Sequence, residues 1–330
     1  MKVLIIGVGS IGRRHLSNLQ RLGLEDVLIC DVKEERLQES TRDFGISKKY
    51  VTLEKAISEN NDIDAAFVCS PSSLHIPHAI KIAENGISVF MEKPLSHNLD
   101  GIRTLMSLVN ERDLVFMMGM CYRFHPVFLR LKEILDSGVT GNIYHVNYYG
   151  GHYLPDWHPD TDYRKEYTAR TDLGGGFLLT SIHGLDNLRW LFGETKEAAS
   201  FVDKVSDLEI DVDDMAVSIL RMERGFYISS SGDFLQRSNQ HRMVVAGARG
   251  TIICNFITGR IALFTVQKQE WEEEIIDFDI NEMYLSEARH FLTCLEHKSK
   301  PAIDLVEGLK TLKLALSLRE SSEKREFVSL

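Results

Sequence analysis

The stretch Val3-Leu4-Ile5-Ile6-Gly7-Val8-Gly9-Ser10-Ile11-Gly12 decides the fold. Four apolar residues form a run suited to a strand buried on both faces, and a helical pattern follows from Ile11 to Leu22. Between them stands G-x-G-x-x-G, in the strand-turn-helix setting that gives this motif its meaning. Gly7 allows the tight turn, Gly9 lets a pyrophosphate approach the backbone, and Gly12 lets helix and strand pack closely. Val8, Ser10 and Ile11 supply amides at the helix N-terminus, where backbone donors and the helix dipole favour phosphate. Asp31 closes the next apolar run, nineteen residues past Gly12, where a carboxylate can hold both ribose hydroxyls. It favours NAD; Lys33 and Arg36 close by leave NADP open.

Outward from this unit, Val27 to Cys30, Ala65 to Cys69, Ser88 to Met91 and Leu114 to Met118 read as further buried strands, separated by helical segments such as Leu74 to Glu84. Strict alternation implies right-handed βαβ units in a doubly wound parallel sheet, an α/β Rossmann domain over residues 1–121. A second domain is expected over 122–330. It opens with a helix over 126–137 and a strand over 142–149, and 150–176 read as a long functional loop. One helix is expected after Gly174-Gly175-Gly176, through Leu178 to Phe192. Period-two alternation over 196–279 predicts an open, mainly antiparallel sheet, and helices over 281–297 and 303–319 close this α/β domain.

The chain has 330 residues, with 38 Lys and Arg against 48 Asp and Glu, a formal charge of −10. A chain of that charge lacks the basic face that nucleic acid or an anionic membrane would need. Five dispersed cysteines without a C-x-x-C pair indicate buried thiols in a reducing compartment. The apolar run after Met1 is too short for a signal-peptide core, and no stretch approaches a membrane span, so a cytoplasmic protein is expected. P-loop and nucleophile-elbow motifs are missing.

At the end of the fifth strand the chain reads Glu92-Lys93-Pro94. Ligands of open α/β sheets bind beyond the C-terminal strand ends, which places Lys93 at the crevice, where it can take a hydroxyl proton as hydride leaves. Thr180, His183, Asp186, Asn187 and Trp190 recur at helical spacing as a polar stripe on an otherwise apolar helix, and such a stripe must bond internally or face a ligand. In the loop over 152–170, Trp157, Tyr153, Tyr163 and Tyr167 offer faces for a sugar ring, while Asp156, Asp160, Asp162 and Arg164 offer polar partners. No metal is expected, because His152, Asp156, His158 and Asp160 have no recognised ligand spacing.

Five motifs in order, over most of the chain, resemble the Gfo/Idh/MocA oxidoreductases, the family of glucose-fructose oxidoreductase and inositol dehydrogenase. They are Gly7 to Gly12 with His15, Cys69-Ser70-Pro71 with His75, Glu92-Lys93-Pro94, Tyr122-Arg123-Phe124-His125-Pro126, and the triple glycine leading to His183 and Asp186. The resemblance implies Lys93 as catalytic lysine, with Ser70, Pro71, His75 and Arg123 bordering the cofactor; Glu92, next to Lys93, is expected at the cofactor as well. It gives His183 a part in proton transfer; beside it, Asp186 one turn on is expected to orient His183, and Tyr122 and Thr180 are expected at the substrate. It also implies a homodimer or homotetramer formed through the C-terminal sheet. Many members carry an aspartate one helical turn before the histidine, where this chain reads Leu179-Thr180-Ser181. The expected function is hydride transfer between a secondary hydroxyl of a sugar, cyclitol or nucleotide-sugar and the nicotinamide. Two alternatives stand beside it: an enzyme recycling NAD internally in an epimerase or glycoside-cleaving cycle, and a non-catalytic NAD- and sugar-binding regulator.

Overall fold

The computed structural model describes residues 1–159 and 161–330. The described chain divides into two compact units, one of residues 1–121 and 281–310, the other of residues 122–280 and 311–330.

The first unit carries strands β1 (Val3–Ile6), β2 (Val27–Cys30), β3 (Lys49–Tyr50), β4 (Ala65–Val68), β5 (Ser88–Glu92) and β6 (Phe116–Gly119). Their order is β3-β2-β1-β4-β5-β6, and every pair is parallel, with Val3 opposite both Val27 and Ala65. That is the doubly wound order, and its reversal lies between β1 and β4, where the glycine turn emerges. The helices are α1 (Ser10–Arg21), α2 (Glu34–Phe44), α3 (Leu53–Ser58), α4 (His75–Glu84) and α5 (Ile102–Glu111). The two-residue β3 escaped sequence reading because its Lys-Tyr pair makes no apolar run.

Phe67 of β4 and Phe90 of β5 stack at 4.5 Å, and both are fully buried. Phe291 and the His15 ring of α1 pack on the same two phenyl groups. A helix from the far end of the sequence thus seals the sheet face on which α1 lies. Truncating either phenylalanine to alanine removes about 3–5 kcal/mol.

The second unit begins with α6 (Pro126–Asp136), β7 (Ile143–Gly151), α7 (Leu154–Trp157), α8 (Phe177–Thr180) and α9 (His183–Phe192). It continues with β8 (Thr195–Asp203), β9 (Met215–Met222), β10 (Tyr227–Asp233), β11 (Gln240–Gly247), β12 (Gly250–Asn255), β13 (Arg260–Thr265) and β14 (Trp271–Ile275). The helices α10 (Ile280–His297), which apart from Ile280 belongs to the first unit, and α11 (Leu305–Lys324), whose residues 311–324 belong to the second, complete the chain with the short β15 (Val328–Ser329). The sheet order is β14-β13-β12-β11-β7-β10-β9-β8-β15. Its pairs are antiparallel except β7 with β10, which run parallel with Tyr227 opposite His145. Parallel neighbours need a long crossover, here the chain that contains α8, α9, β8 and β9. In β9 residues Ala216, Ser218, Leu220 and Met222 point inward while Val217, Ile219 and Arg221 face out. The acidic residues Glu272, Glu273 and Glu274 of edge strand β14 are exposed and pair with Lys268, Arg260 and Arg130.

Two expectations need correction. The segment after the triple glycine is two helices, because the chain turns at Ser181 and Ile182, where the Gly184 amide bonds back three residues to the Ser181 carbonyl. The segment over 150–176 is more ordered than its weak periodicity implied: β7 extends to Gly151, α7 follows, and three 3₁₀ turns cover 163–165, 167–169 and 171–173. A Cβ at Gly175 would stand 2.2 Å from the Tyr167 carbonyl oxygen, so the glycine lets these turns fold back on themselves.

Candidate functional site

In the first unit the glycine turn is built for a backbone ligand. Gly7 has φ +88°, and a Cβ there would meet the Cys69 carbonyl oxygen at 2.7 Å. A Cβ at Gly12 would stand 1.9 Å from the Gly7 oxygen, so α1 can lie this close to β1 only with glycine. At Gly9 the nearest atom to such a Cβ is Arg36 Nη1 at 3.6 Å, which leaves the protein side of the turn open. Gly9 caps α1 without a side-chain bond, and no acidic residue occupies the first turn, so the amides of Ser10 and Ile11 face outward from a positive helix end.

Asp31 is buried. Its Oδ2 accepts from the Val8 amide at 2.9 Å and its Oδ1 from the Lys33 amide at 2.8 Å. Each oxygen keeps a lone pair for a diol, and the charge is only partly offset by Arg36 at 3.8 Å. An open glycine turn, a bare helix end and an anchored carboxylate are together the donor set a dinucleotide with a free ribose diol requires, so the residues fit NAD.

The turn that carries Lys93 is held from two sides. His15 Nε2 lies 2.7 Å from Glu92 Oε1, and the Lys93 amide donates to Glu92 Oε2 at 3.1 Å. Burial pushes the Glu92 carboxyl up, but the His15 bond and the charges of His15 and Lys93 outweigh it, and its pKa is lowered. From α4, His75 places Nδ1 2.7 Å from the Pro94 carbonyl oxygen and Nε2 2.8 Å from that of Ser70. A neutral imidazole can donate to only one of these two acceptors. Burial lowers the His75 pKa despite the carbonyls, so the ring is neutral near pH 7. Ser70 Oγ contacts His78 Nδ1 at 3.0 Å, and Pro71 opens the short helical turn before α4. Of the residues expected at the cofactor, Ser70, His75 and Glu92 are linked around this turn, joined by His15, whose partner lies 77 positions away, whereas Arg123 lies in the second unit.

In the second unit a 3₁₀ turn, Cys121–Phe124, presents Tyr122 and Arg123. The Tyr122 ring stacks on His183 at 4.7 Å with 22° between planes. Arg123 pairs bidentately with Asp186, Nε to Oδ2 at 2.8 Å and Nη2 to Oδ1 at 2.7 Å. Thr311 Oγ1 donates to the same Oδ1 at 3.1 Å and accepts from Arg189 Nη1, while Arg189 also forks onto Glu194. Asp186, expected beside His183 as an orienting group, has both oxygens engaged by Arg123 and Thr311. Thr180 is buried at the end of α8.

Tyr148 and His241, which sequence reading does not single out, pack beside the Tyr122–His183 stack. Their side chains meet at 2.9 Å, and the His241 ring also lies 5.4 Å from that of Tyr122. Burial lowers the His241 pKa to about 3 and pushes the Tyr148 hydroxyl up. A Cβ at Gly184 would come within 2.8 Å of the Tyr148 ring, so this glycine lets α9 approach β7.

The loop residues divide. Trp157 is half-exposed and lies between His152 and His158 with ring centroids at 5.4 and 6.1 Å. The Tyr163 hydroxyl accepts from the Glu209 amide at 3.3 Å, and Arg164 pairs with Asp162 and Glu209 at 2.7 Å each, which fastens this segment at the surface. Asp160 lies outside the described residues. Among the described residues no cluster of His, Cys, Asp and Glu has metal-binding geometry, and no helix is long and apolar enough to cross a membrane.

Comparison with known proteins identifies the family and the fold. Residues 1–120 match the model of an oxidoreductase family with an NAD-binding Rossmann fold, and residues 128–253 match the C-terminal domain of the same family. The chain is similar to the myo-inositol 2-dehydrogenase of Thermotoga maritima, at 28% identity covering all of this chain and 98% of that protein. It is 25% identical to the scyllo-inositol 2-dehydrogenase (NAD(+)) of Bacillus subtilis, over 96% of this chain and 92% of that one. A solved levoglucosan dehydrogenase in complex with NADH shares the fold with a TM-score of 0.88 at 19% identity, covering 100% of this chain and 98% of that one. The chain belongs to the Gfo/Idh/MocA family of NAD-dependent oxidoreductases.

Proposed function

We propose that this protein oxidises a secondary hydroxyl of a cyclic polyol, a sugar or cyclitol, with Lys93 Nζ as the group that takes the hydroxyl proton. The observation that carries the reading is the position of Lys93 directly after β5, in a turn fixed by His15 through Glu92 and by His75 through Pro94. NAD, when bound, supplies the hydride acceptor. The amides of the glycine turn hold its phosphates, Asp31 its ribose diol, and Ser70 and Pro71 border it.

His183 orients the reacting hydroxyl, and the stacked Tyr122 ring holds the imidazole in place. Asp186 acts through Arg123 as a positioning group, since its oxygens are already paired. Thr180 and Trp157 complete the substrate contacts, and Tyr163 and Arg164 anchor the loop that carries Trp157. Relatives named as inositol dehydrogenases support the polyol class.

A homodimer or homotetramer through the open sheet forms part of the proposal. Phe201, Val217 and Ile219 are exposed on adjacent strands, with Phe201 directly opposite Val217. Such an apolar patch on a sheet face suits a second copy.

An absorbance assay for NADH over a panel of inositols, aldoses and nucleotide-sugars, with NAD and NADP in parallel, tests the activity. Turnover of a polyol with NAD is expected. Cofactor that co-purifies tightly and never yields net NADH would instead favour internal recycling.

A further inference from the structure

Asn187 is fully buried, and neither its Nδ2 nor its Oδ1 has a hydrogen-bond partner among the described residues. Buried carboxamides are normally satisfied, and an unmet donor and acceptor in one side chain are a standing penalty. Two charged neighbours on the same helix make the contrast. Asp186 is bonded to Arg123 and Thr311, and Arg189 to Glu194 and Thr311.

Leucines at 185, 188 and 191 of the same helix are buried. At 100° per residue, His183, Asn187 and Trp190 lie within about 60° of one another on α9. His183 and Trp190 are the two residues of α9 that keep partial exposure, and Asn187 lies between them along the helix axis, at one edge of the same stripe. Its Cβ tilts toward the helix N-terminus, the end that carries His183.

From this stripe and the unmet carboxamide we propose that Asn187 is a specificity-determining residue that reads a hydroxyl, or a vicinal hydroxyl pair, of a neutral cyclic polyol. The inference rests on the polyol reading above. One carboxamide offers donors and acceptors together, which matches hydroxyls that are both. Arg123, which bonds Asp186 of this helix, and Arg189 within it are each paired with a carboxylate, so neither offers an unpaired charge to an anionic sugar. A site that bonds a hydroxyl rejects the analogue lacking it far more strongly than an apolar pocket does.

The test compares the unaltered chain with Asn187→Leu and Asn187→Met, using myo-inositol and a series of deoxy-inositols each lacking one hydroxyl. NADH formation gives kcat/KM, and thermal unfolding gives Tm. The unaltered chain should discriminate against at least one deoxy analogue, and both variants should lose that discrimination by at least about tenfold through a raised KM for myo-inositol. Removal of the unmet carboxamide should leave Tm unchanged or raise it by roughly 2–4 °C. An unchanged ratio overturns the inference at any Tm. A ratio that collapses together with a lowered Tm in both variants assigns Asn187 a structural role and overturns it too. If the unaltered chain binds NADH but oxidises no polyol, the polyol reading fails and this inference with it.

Discussion

His15 Nε2 stands 2.7 Å from Glu92 Oε1, and through that bond the helix of the cofactor turn fixes the residue next to Lys93. Both partners are buried, so removing one leaves the other with a group it cannot satisfy. His15→Leu should lower stability by about 3–5 kcal/mol in urea unfolding, the usual effect of breaking a buried pair from one side. A variant within about 1 kcal/mol of the unaltered chain would show that the pair carries little.

Glu92 also sets an acid limit. Its folded pKa lies below the ordinary 4.5, so its contribution is present above that value and lost as pH falls through the folded pKa. Glu92→Gln should therefore flatten the dependence of the urea midpoint on pH below about 4.5. An identical slope in the variant would assign the acid sensitivity to other groups.

His241 acts in a different window. It stays neutral in the fold, with a pKa near 3 against 6.5 when unfolded, so the unfolded chain takes up its proton first. Its contribution is complete above pH 6.5 and declines as pH falls toward about 3. Between pH 6.5 and 5 this one ring should remove about 2 kcal/mol of stability. His241→Phe should show a shallower loss over that interval, measured by urea midpoints at both pH values.

Gly9 and Gly12 should respond differently to alanine. At Gly12 the Cβ would overlap the Gly7 oxygen at 1.9 Å, so Gly12→Ala should unfold at markedly lower temperature. At Gly9 the nearest atom is the mobile end of Arg36 at 3.6 Å, so Gly9→Ala should keep its Tm. It should still bind NADH at least about tenfold more weakly, because the methyl occupies the approach of the pyrophosphate. Fluorescence titration with NADH checks the second effect, and unaltered affinity would remove Gly9 from the cofactor site.

Much of the first unit was legible because its signals are local. The Val3–Ile6 run, the glycines and the alternation of buried strands with helices mark a doubly wound sheet without knowledge of what lies across space. The parallel pairing of β7 with β10 was not legible, since period-two alternation is the same for either direction. The break at Ser181 escaped because Leu178, Ile182 and Leu185 keep helical spacing across it. At the site, Lys93 could be placed from its position after a strand. The His15–Glu92 bond, the Arg123–Asp186 fork and the Tyr148–His241 pair join residues 77, 63 and 93 positions apart, and no local pattern encodes them.

The proton-accepting role of Lys93 is tested most directly by Lys93→Met, which keeps the length of the side chain and removes the amine. Initial rates of NADH formation from the best polyol substrate should fall by about 10²–10⁴, while NADH binding and Tm stay as in the unaltered chain. Full turnover by the methionine variant on that substrate would contradict the account.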